Sequence, residues 1–353
     1  MPDTPLDPLD APTAGICPSC GAAVGAADEF CESCGAPLRG QPAAPPPEPE
    51  PEPVDAPSAR TCSCGGTFDA DGWCDRCGAA APKERDHWDE APAPWVAGSC
   101  DRGIRHNRNE DAMALAADAA PGSFCAIVVC DGVTSAPASD LASLAAARAA
   151  RDSLATARVA NLPSPSARIV HWSSAIEAAA EEANEQAAAV TAAGEDPPSC
   201  TFVAAVVEAG VLVAGWVGDS RAYWLPDEGP ATQLTTDHSW ASDQIAIGVP
   251  REAAEAAPEA HAITRWLGAD APHPEPDLTS ATVDGPGWLL VCSDGLWNYC
   301  SPAGDLRELI AGIVDEHGDD PVTVAARLVE FANTSGGMDN VTAALARLVP
   351  AQN

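Results

Sequence analysis

The sequence predicts an α+β domain in its larger, C-terminal part, preceded by two small modules held by cysteines. Three observations predict this. Short apolar runs bounded by turn residues read as strands at Phe124–Cys130, Phe202–Val207, Val211–Val217, Trp288–Cys292 and Val341–Leu348. Apolar residues recurring every three to four positions read as helices at Ser139–Ala160, Trp172–Ala193 and Pro321–Asn333. Strand pairs mixed with long helices make a layered α+β domain. Finally, eight of the fourteen cysteines crowd into the first 80 residues in closely spaced pairs.

The chain has 353 residues, with 18 Lys and Arg against 52 Asp and Glu, a net charge of −34. That length suits two to three folding units, at about 100–200 residues each. Hydrophobic residues make up 46%, enough for a sizeable core, so the chain as a whole is not disordered. Residues 1–94 and 95–353 carry −12 and −22, so neither part is a basic arm. The charge argues against nucleic-acid partners and against anionic membrane surfaces. An acidic protein can still hold phosphate once divalent cations reverse the local sign.

Met1-Pro2-Asp3-Thr4 offers neither a basic n-region nor an apolar h-region, so no signal peptide is expected. No transmembrane candidate is found either: the most apolar stretch, Thr201 to Gly218, is interrupted by Glu208-Ala209-Gly210. A cytoplasmic protein follows, with its thiols in a reducing compartment where metal binding is favoured over disulfides.

Residues 13–39 hold the first thiol set, Cys17-Pro-Ser-Cys20-Gly21 with Cys31-Glu-Ser-Cys34-Gly35. Residues 40–60 form a Pro/Glu-rich spacer that cannot build a core and should stay extended. Residues 61–80 hold the second set, Cys62-Ser-Cys64-Gly65 with Cys74-Asp-Arg-Cys77-Gly78. A second polar spacer is expected over 81–94, and the large domain over 95–349. Paired CxxC-Gly knuckles are a zinc-ribbon signal, each turn presenting two thiolates and each Gly permitting the bend; the first arm of the second set is CxC, a departure that still offers four sulfurs. Units this short need zinc to fold, and four Cys leave no open position, so two structural zinc ions are expected. Phe30 and Trp73, each just before a second knuckle, are expected to supply the apolar contacts. A protein partner is expected to dock on the ribbons. The other six Cys (Cys100, Cys125, Cys130, Cys200, Cys292, Cys300) lack paired spacing and read as buried, inert thiols.

Three apolar strands run into aspartates: Asp131-Gly132, Asp219-Ser220-Arg221 and Asp294-Gly295. Asp339-Asn340 precedes a fourth strand, and Glu110-Asp111 lies in a polar segment before the first. A single Asp-Gly is usually a turn. Several at strand ends suggest carboxylates meeting at one sheet edge, where they would repel one another unless divalent metal neutralised them. All-oxygen ligation favours magnesium or manganese over zinc.

Over about Trp95–Leu348 the ordered set of motifs resembles the metal-dependent serine/threonine phosphatases of the protein phosphatase 2C (PPM) type. The set runs Asp101-Arg-Gly103, Asn109-Glu110-Asp111, Asp131-Gly132, Ser199-Cys-Thr201 and Val217-Gly-Asp219-Ser-Arg221-Ala-Tyr223. It continues with Leu234-Thr-Thr-Asp237-His238-Ser239, Ile263-Thr264-Arg265-Trp-Leu-Gly268, Cys292-Ser-Asp294-Gly295-Leu296 and Asp339-Asn340-Val341-Thr342. The resemblance implies a β-sandwich flanked by helices in α-β-β-α layers, with a binuclear metal centre at one end. It implies that Asp131 bridges two manganese or magnesium ions, with the Gly132 carbonyl on one and Asp294 and Asp339 on the other. Glu110 and Asp111 would act through water, and Asp219 would help Asp294 hold a third metal. The implied reaction is hydrolysis of phosphoserine and phosphothreonine in proteins, substrates made by a Ser/Thr kinase.

Two departures stand out. The family's phosphate-gripping Arg falls on His106, flanked by Arg105 and Arg108. Alternation along an extended segment would favour Arg108, a bulge Arg105, and His106 would serve only when protonated. After Asp131-Gly132 the chain continues Val133-Thr-Ser-Ala where many relatives have Met-Gly-Gly. His238 is read as structural. The alternative reading is a phosphatase-fold scaffold, catalytically impaired, whose ribbons bind other proteins.

Overall fold

The structure, a computed structural model, describes residues 15–25, 29–34, 38, 61–62, 64–133, 136–160, 162–191, 196–283 and 285–349. The spacer read over 40–60 lies outside the described residues. The chain divides into two compact units, Met1–Ala81 and Pro82–Asn353.

The first unit contains the short strands β1 (Gly15–Ile16) and β2 (Ala23–Val24), paired antiparallel. In the second unit, β3 (His87–Ala93), β4 (Val96–Asp101), β5 (Ala112–Ala117) and β6 (Cys125–Cys130) precede helices α1 (Ser139–Thr156) and α2 (Pro165–Ala189). Next come β7 (Ser199–Cys200), β8 (Phe202–Glu208), β9 (Val211–Val217), β10 (Arg221–Pro226) and β11 (Thr232–Gln233). Short helices α3 (Trp240–Ala246) and α4 (Arg251–Glu255) lead to β12 (Leu267–Gly268), β13 (Asp277–Thr282) and β14 (Gly287–Cys292). The chain closes with α5 (Asp294–Trp297), α6 (Ala303–His317), α7 (Pro321–Ser335) and β15 (Val341–Leu348).

Two antiparallel sheets form the sandwich, in the orders β11-β10-β14-β15-β4-β3 and β13-β9-β8-β6-β5. Apolar side chains of both inner faces, among them Met113, Ile127, Val203, Leu289 and Ala344, fill the space between them. α1 and α2 cover the outer face of the five-stranded sheet, and α6 and α7 that of the six-stranded sheet. The central strands are therefore buried on both faces, which is why β6, β9 and β14 read as continuous apolar runs. α1 and α2 meet through Ala142, Ala146, Ala150, Ala179 and Ala183, small residues that let two backbones approach closely.

The expected layers are present, with several boundaries corrected. α2 starts at Pro165, not Trp172, because the Ser164 side chain accepts from Ala167 N and Pro165 fits the first helical turn. The spacer expected over 81–94 is wrong: from Pro82 the chain belongs to the sandwich unit, and β3 pairs with β4 at its edge. Pro92 is tolerated there because an edge strand leaves one side unpaired, and the register shifts between Glu90 and Ala93.

Candidate active site

Antiparallel pairing reverses chain direction at each step, so strand ends distant in sequence collect at one end of the sandwich. Val341 lies opposite Asp101, Cys292 opposite both Arg221 and Ala343, and Ala112 opposite Cys130. The six-stranded sheet thus brings Asp294 and Asp339 to this end, and the five-stranded sheet brings Asp111, Asp131 and Asp219. Two glycines permit the approach. A Cβ at Gly103 (φ +73°) would fall on the carbonyl oxygen of Asp339, and one at Gly295 on that of Asn340.

Asp111 is fully buried. Its Oδ2 accepts from Ser293 Oγ at 2.6 Å and Thr342 Oγ1 at 2.7 Å, while Oδ1 is buried without a partner. Burial, reinforced by the charges of Asp339 and Asp294, pushes its carboxyl up to about 7. Asp294 is pushed up to about 6 by burial and by Asp339; Asn298 Nδ2 donates to Oδ2 at 3.1 Å, and Oδ1 is again unpartnered. Burial and the neighbouring aspartates raise Asp131 well above the carboxylate range, and burial with Asp294 and Asp237 does the same to Asp219. Thr201 clamps Asp131 by accepting from its N–H at 2.9 Å and donating to its carbonyl at 2.8 Å. Trp297 Nε1 donates to the Asp219 carbonyl at 3.0 Å.

Such a cluster repels itself until cations enter, and two buried carboxylate oxygens have nothing else to bind. The donor set is all oxygen and fits hard divalent cations. Among the described residues, only the cysteine tetrads gather three or more ligand atoms within 4.8 Å of one another.

Glu110 is buried and occupied by the protein itself. Its Oε1 accepts from Arg108 Nε at 3.1 Å and Nη2 at 2.6 Å, and from Ser139 Oγ. Its carbonyl accepts from Gly132 N at 3.1 Å, which positions the Gly132 loop. Arg108, favoured by the alternation argument, is therefore turned inward, with a further bond to the Ala136 carbonyl. The argument fails because 103–105 is a turn, with Ile104 N and Arg105 N donating to the Gly337 carbonyl. Arg105 is exposed. His106 faces the cluster, its Nε2 3.2 Å from Asp339 Oδ1 and its Nδ1 3.8 Å from Glu110 Oε2. Of the residues after Gly132, Val133 N donates to the Ser199 carbonyl, while 134–135 lie outside the described residues.

His238 is structural: its Nδ1 accepts from Gly218 N at 3.0 Å, and its ring stacks on Trp216. Sequence reasoning passed over Arg85, in the stretch read as a spacer; its guanidinium donates to the Asp111 carbonyl at 3.0 Å. No motif signals it. It also passed over Ser293 and Thr342, the hydroxyls on Asp111, although both stand inside quoted motifs.

In the first unit the thiols gather as expected. Cys17 and Cys34 Sγ lie 3.8 Å apart, Cys20 and Cys31 3.6 Å, Cys62 and Cys77 3.6 Å, and Cys64 and Cys74 3.5 Å. The edge of a tetrahedron with zinc–sulfur bonds of about 2.3 Å is about 3.8 Å, so both tetrads fit zinc. The Ser19 N–H lowers the Cys17 thiol to about 7, and the Cys64 N–H lowers Cys62 to about 6. Gly21, Gly65 and Gly78 take positive φ at the knuckles as anticipated, and Gly35 lies outside the described residues. The expected role of Phe30 and Trp73 is not seen: they are 61% and 54% exposed, because units this small cannot enclose an aromatic ring.

Comparison with known proteins gives a protein phosphatase 2C match over residues 103–332, well over half the chain. The chain belongs to the protein phosphatase 2C family. A zinc-ribbon domain matches residues 16–38. Protein phosphatase PhpP of Streptococcus pneumoniae is 34% identical over 131 residues, 36% of this chain and 50% of that protein. The chain thus spans about half the length of that relative. The structure of the Mycobacterium tuberculosis serine/threonine phosphatase PstP/Ppp aligns with a TM-score of 0.56 at 26% identity, covering 72% of this chain and 98% of that one. A PstP catalytic domain solved with two manganese ions aligns at 0.51 with 24% identity, covering 72% of this chain and 97% of that one, a likeness of fold. The phosphatase 2C fold accounts for the sandwich and for the end at which the aspartates meet. Five of the six cysteines outside the ribbons are buried, as inert core thiols should be, and Cys300 is partly exposed. No helix among the described residues is long and apolar enough to cross a membrane.

Proposed function

We propose that this chain hydrolyses phosphoserine and phosphothreonine in proteins phosphorylated by a Ser/Thr kinase, with manganese or magnesium bound at the sandwich end. The observation that carries this reading is the aspartate cluster, with Asp111 Oδ1 and Asp294 Oδ1 buried and unpartnered. Asp131 and the Gly132 carbonyl, Asp294 and Asp339 would hold two cations; Asp219 would help Asp294 hold a third. Bound there, the cations would supply charge to neutralise a phosphoryl group and lower the pKa of water to near neutrality.

The chain's own residues do the rest. Thr201 and the Glu110 carbonyl fix the Asp131-Gly132 turn, and Ser293 and Thr342 orient Asp111. Glu110, held by Arg108 and Ser139, is fixed in place beside the cluster and, with Asp111, would order water. His106, at the mouth, stands where the family's phosphate-gripping Arg would be. An imidazole lacks the bidentate donor fork of a guanidinium, so a weakly gripping enzyme results. The same His is what favours the scaffold reading, but a scaffold gains nothing from a self-repelling acidic cluster.

The two tetrads would each hold one structural zinc, and the exposed Phe30 and Trp73 suit a protein partner. The acidic charge gives nucleic acid and anionic membrane nothing to bind. The deciding test is turnover of a phosphothreonine peptide with and without manganese. Failure of manganese to support any turnover would reject the enzyme in favour of the scaffold.

A further inference from the structure

Arg85 sits in a single 3-10 turn, Glu84–Asp86, at the start of the sandwich unit. Its Nη2 donates to the Asp140 carbonyl at 2.6 Å and the Asp111 carbonyl at 3.0 Å, with Ser143 Oγ at 3.4 Å. Ser143 Oγ in turn donates to the Glu110 carbonyl at 2.5 Å. One guanidinium therefore joins the main chain of both Glu110-Asp111 and the first turn of α1. The turn that carries it is itself tied to the neighbouring loop. Arg102 N donates to the Asp86 carbonyl at 2.8 Å, Lys83 N to Asp86 Oδ2 at 2.9 Å, and His87 Nδ1 lies 2.8 Å from Asp101 Oδ2.

Closing an edge hairpin does not require any of this. The guanidinium lies over the Trp88 ring, 5.2 Å from its centre, and its Nε is buried without a partner. Burying a cation against carbonyls is costly and is tolerated where its geometry matters. Asp111 carries the unpartnered Oδ1, and its side chain is aimed by two hydroxyls that presuppose a fixed main chain. Partners behind a ligand commonly set metal affinity without touching the metal.

We infer that Arg85 is a positioning residue of the metal centre, locking the Glu110-Asp111 main chain to α1 so that both carboxylates face the cations. The inference rests on the metal reading above. It places the first turn of the sandwich unit behind the site.

Calorimetric titration of manganese into the full, manganese-free chain tests it, alongside steady-state kinetics on a phosphothreonine peptide. Arg85→Ala should bind manganese about tenfold more weakly, while kcat at saturating manganese stays within about twofold. Arg85→Lys keeps the charge but has a shorter reach than the guanidinium whose Nη2 serves both carbonyls, so it should fall between, about threefold weaker; if Arg85→Ala does not fold, this variant decides. Arg347→Ala is the control: it loses a bidentate pair with Asp227 (2.7 and 2.8 Å) and should lower Tm with manganese affinity unchanged. Wild-type affinity in both Arg85 variants overturns the positioning role, as does equal weakening in Arg347→Ala. Absence of saturable manganese binding by the wild-type chain instead overturns the metal reading on which it rests.

Discussion

Chelating the divalent cations should reverse the ordinary benefit of mildly alkaline pH for this chain. Asp111 and Asp294 titrate near 7 and 6 in the folded, metal-free protein, above the ordinary 3.8. A raised carboxyl binds its proton more tightly folded than unfolded. Its stabilising contribution is complete below about pH 4 and is lost as pH rises through the folded value. Between pH 6.5 and 8 these two groups together remove about 1 kcal/mol, and Asp131 and Asp219, raised further, act in the same direction. The window starts at 6.5 because His238, depressed by burial, has the opposite sign and loses stability as pH falls below that point. The lowered thiols of Cys17 and Cys62 also have the opposite sign but belong to the first unit, so the transition followed is that of the sandwich unit.

For a unit this large, 1 kcal/mol corresponds to about 2–4 °C in Tm. Metal-free protein should therefore melt about 2–4 °C lower at pH 8 than at pH 6.5. Manganese at a hundred times its Kd should add about 3 kcal/mol and remove or invert the slope. Thermal melts in the two buffers, with manganese and with chelator, provide the measurement. An unchanged or higher Tm at pH 8 in chelator would refute the repulsive-cluster argument.

Asp131→Ala should abolish turnover, and Asp294→Asn and Asp339→Asn should each lose most of it; by relieving repulsion, Asp294→Asn should also raise the metal-free Tm. Full activity of Asp131→Ala would reject the bridging assignment. His106→Ala should lower kcat/KM about tenfold, whereas His106→Arg should improve KM by supplying a guanidinium, worth roughly 1.5–3 kcal/mol to phosphate. Arg108→Ala should cost about 2 kcal/mol or more of stability, since it leaves buried Glu110 without its cation; urea denaturation reads this directly. Elemental analysis should find two zinc ions per chain, falling to one in Cys62→Ser/Cys64→Ser with peptide phosphatase kinetics unaltered.

Much of this was legible because burial on both faces writes itself into sequence as apolar runs. β9 and β15 were placed to the residue, and β8 and β14 to within one. Strands built from small or polar residues were not seen. β4 reads Val-Ala-Gly-Ser-Cys-Asp, and β13, half exposed at a sheet edge, reads Asp-Leu-Thr-Ser-Ala-Thr. Their strand state comes from ladder partners contributed by distant sequence, which no local pattern records. α6 has a helical period, with Leu306 and Ile310 buried, and was readable but not read. The aspartates were legible for a different reason: each stands at the end or just before the start of an apolar run, so the fold's geometry puts them together.

The two kinds of metal site are separated by chemistry that needs no contact between them. Thiol tetrads with 3.5–3.8 Å edges suit a soft-tolerant tetrahedral ion, while the aspartates offer only hard oxygen at wider spacing. Within each tetrad one thiol is lowered (Cys17 to about 7, Cys62 to about 6) while another is raised to about 12 (Cys20, Cys64), so zinc entry would release protons. The raised carboxyls of the sandwich would likewise give up protons to an entering cation. Zinc in the ribbons would be bound up with their folding, whereas a cation at the aspartates would enter a domain whose two-sheet core is already packed without it.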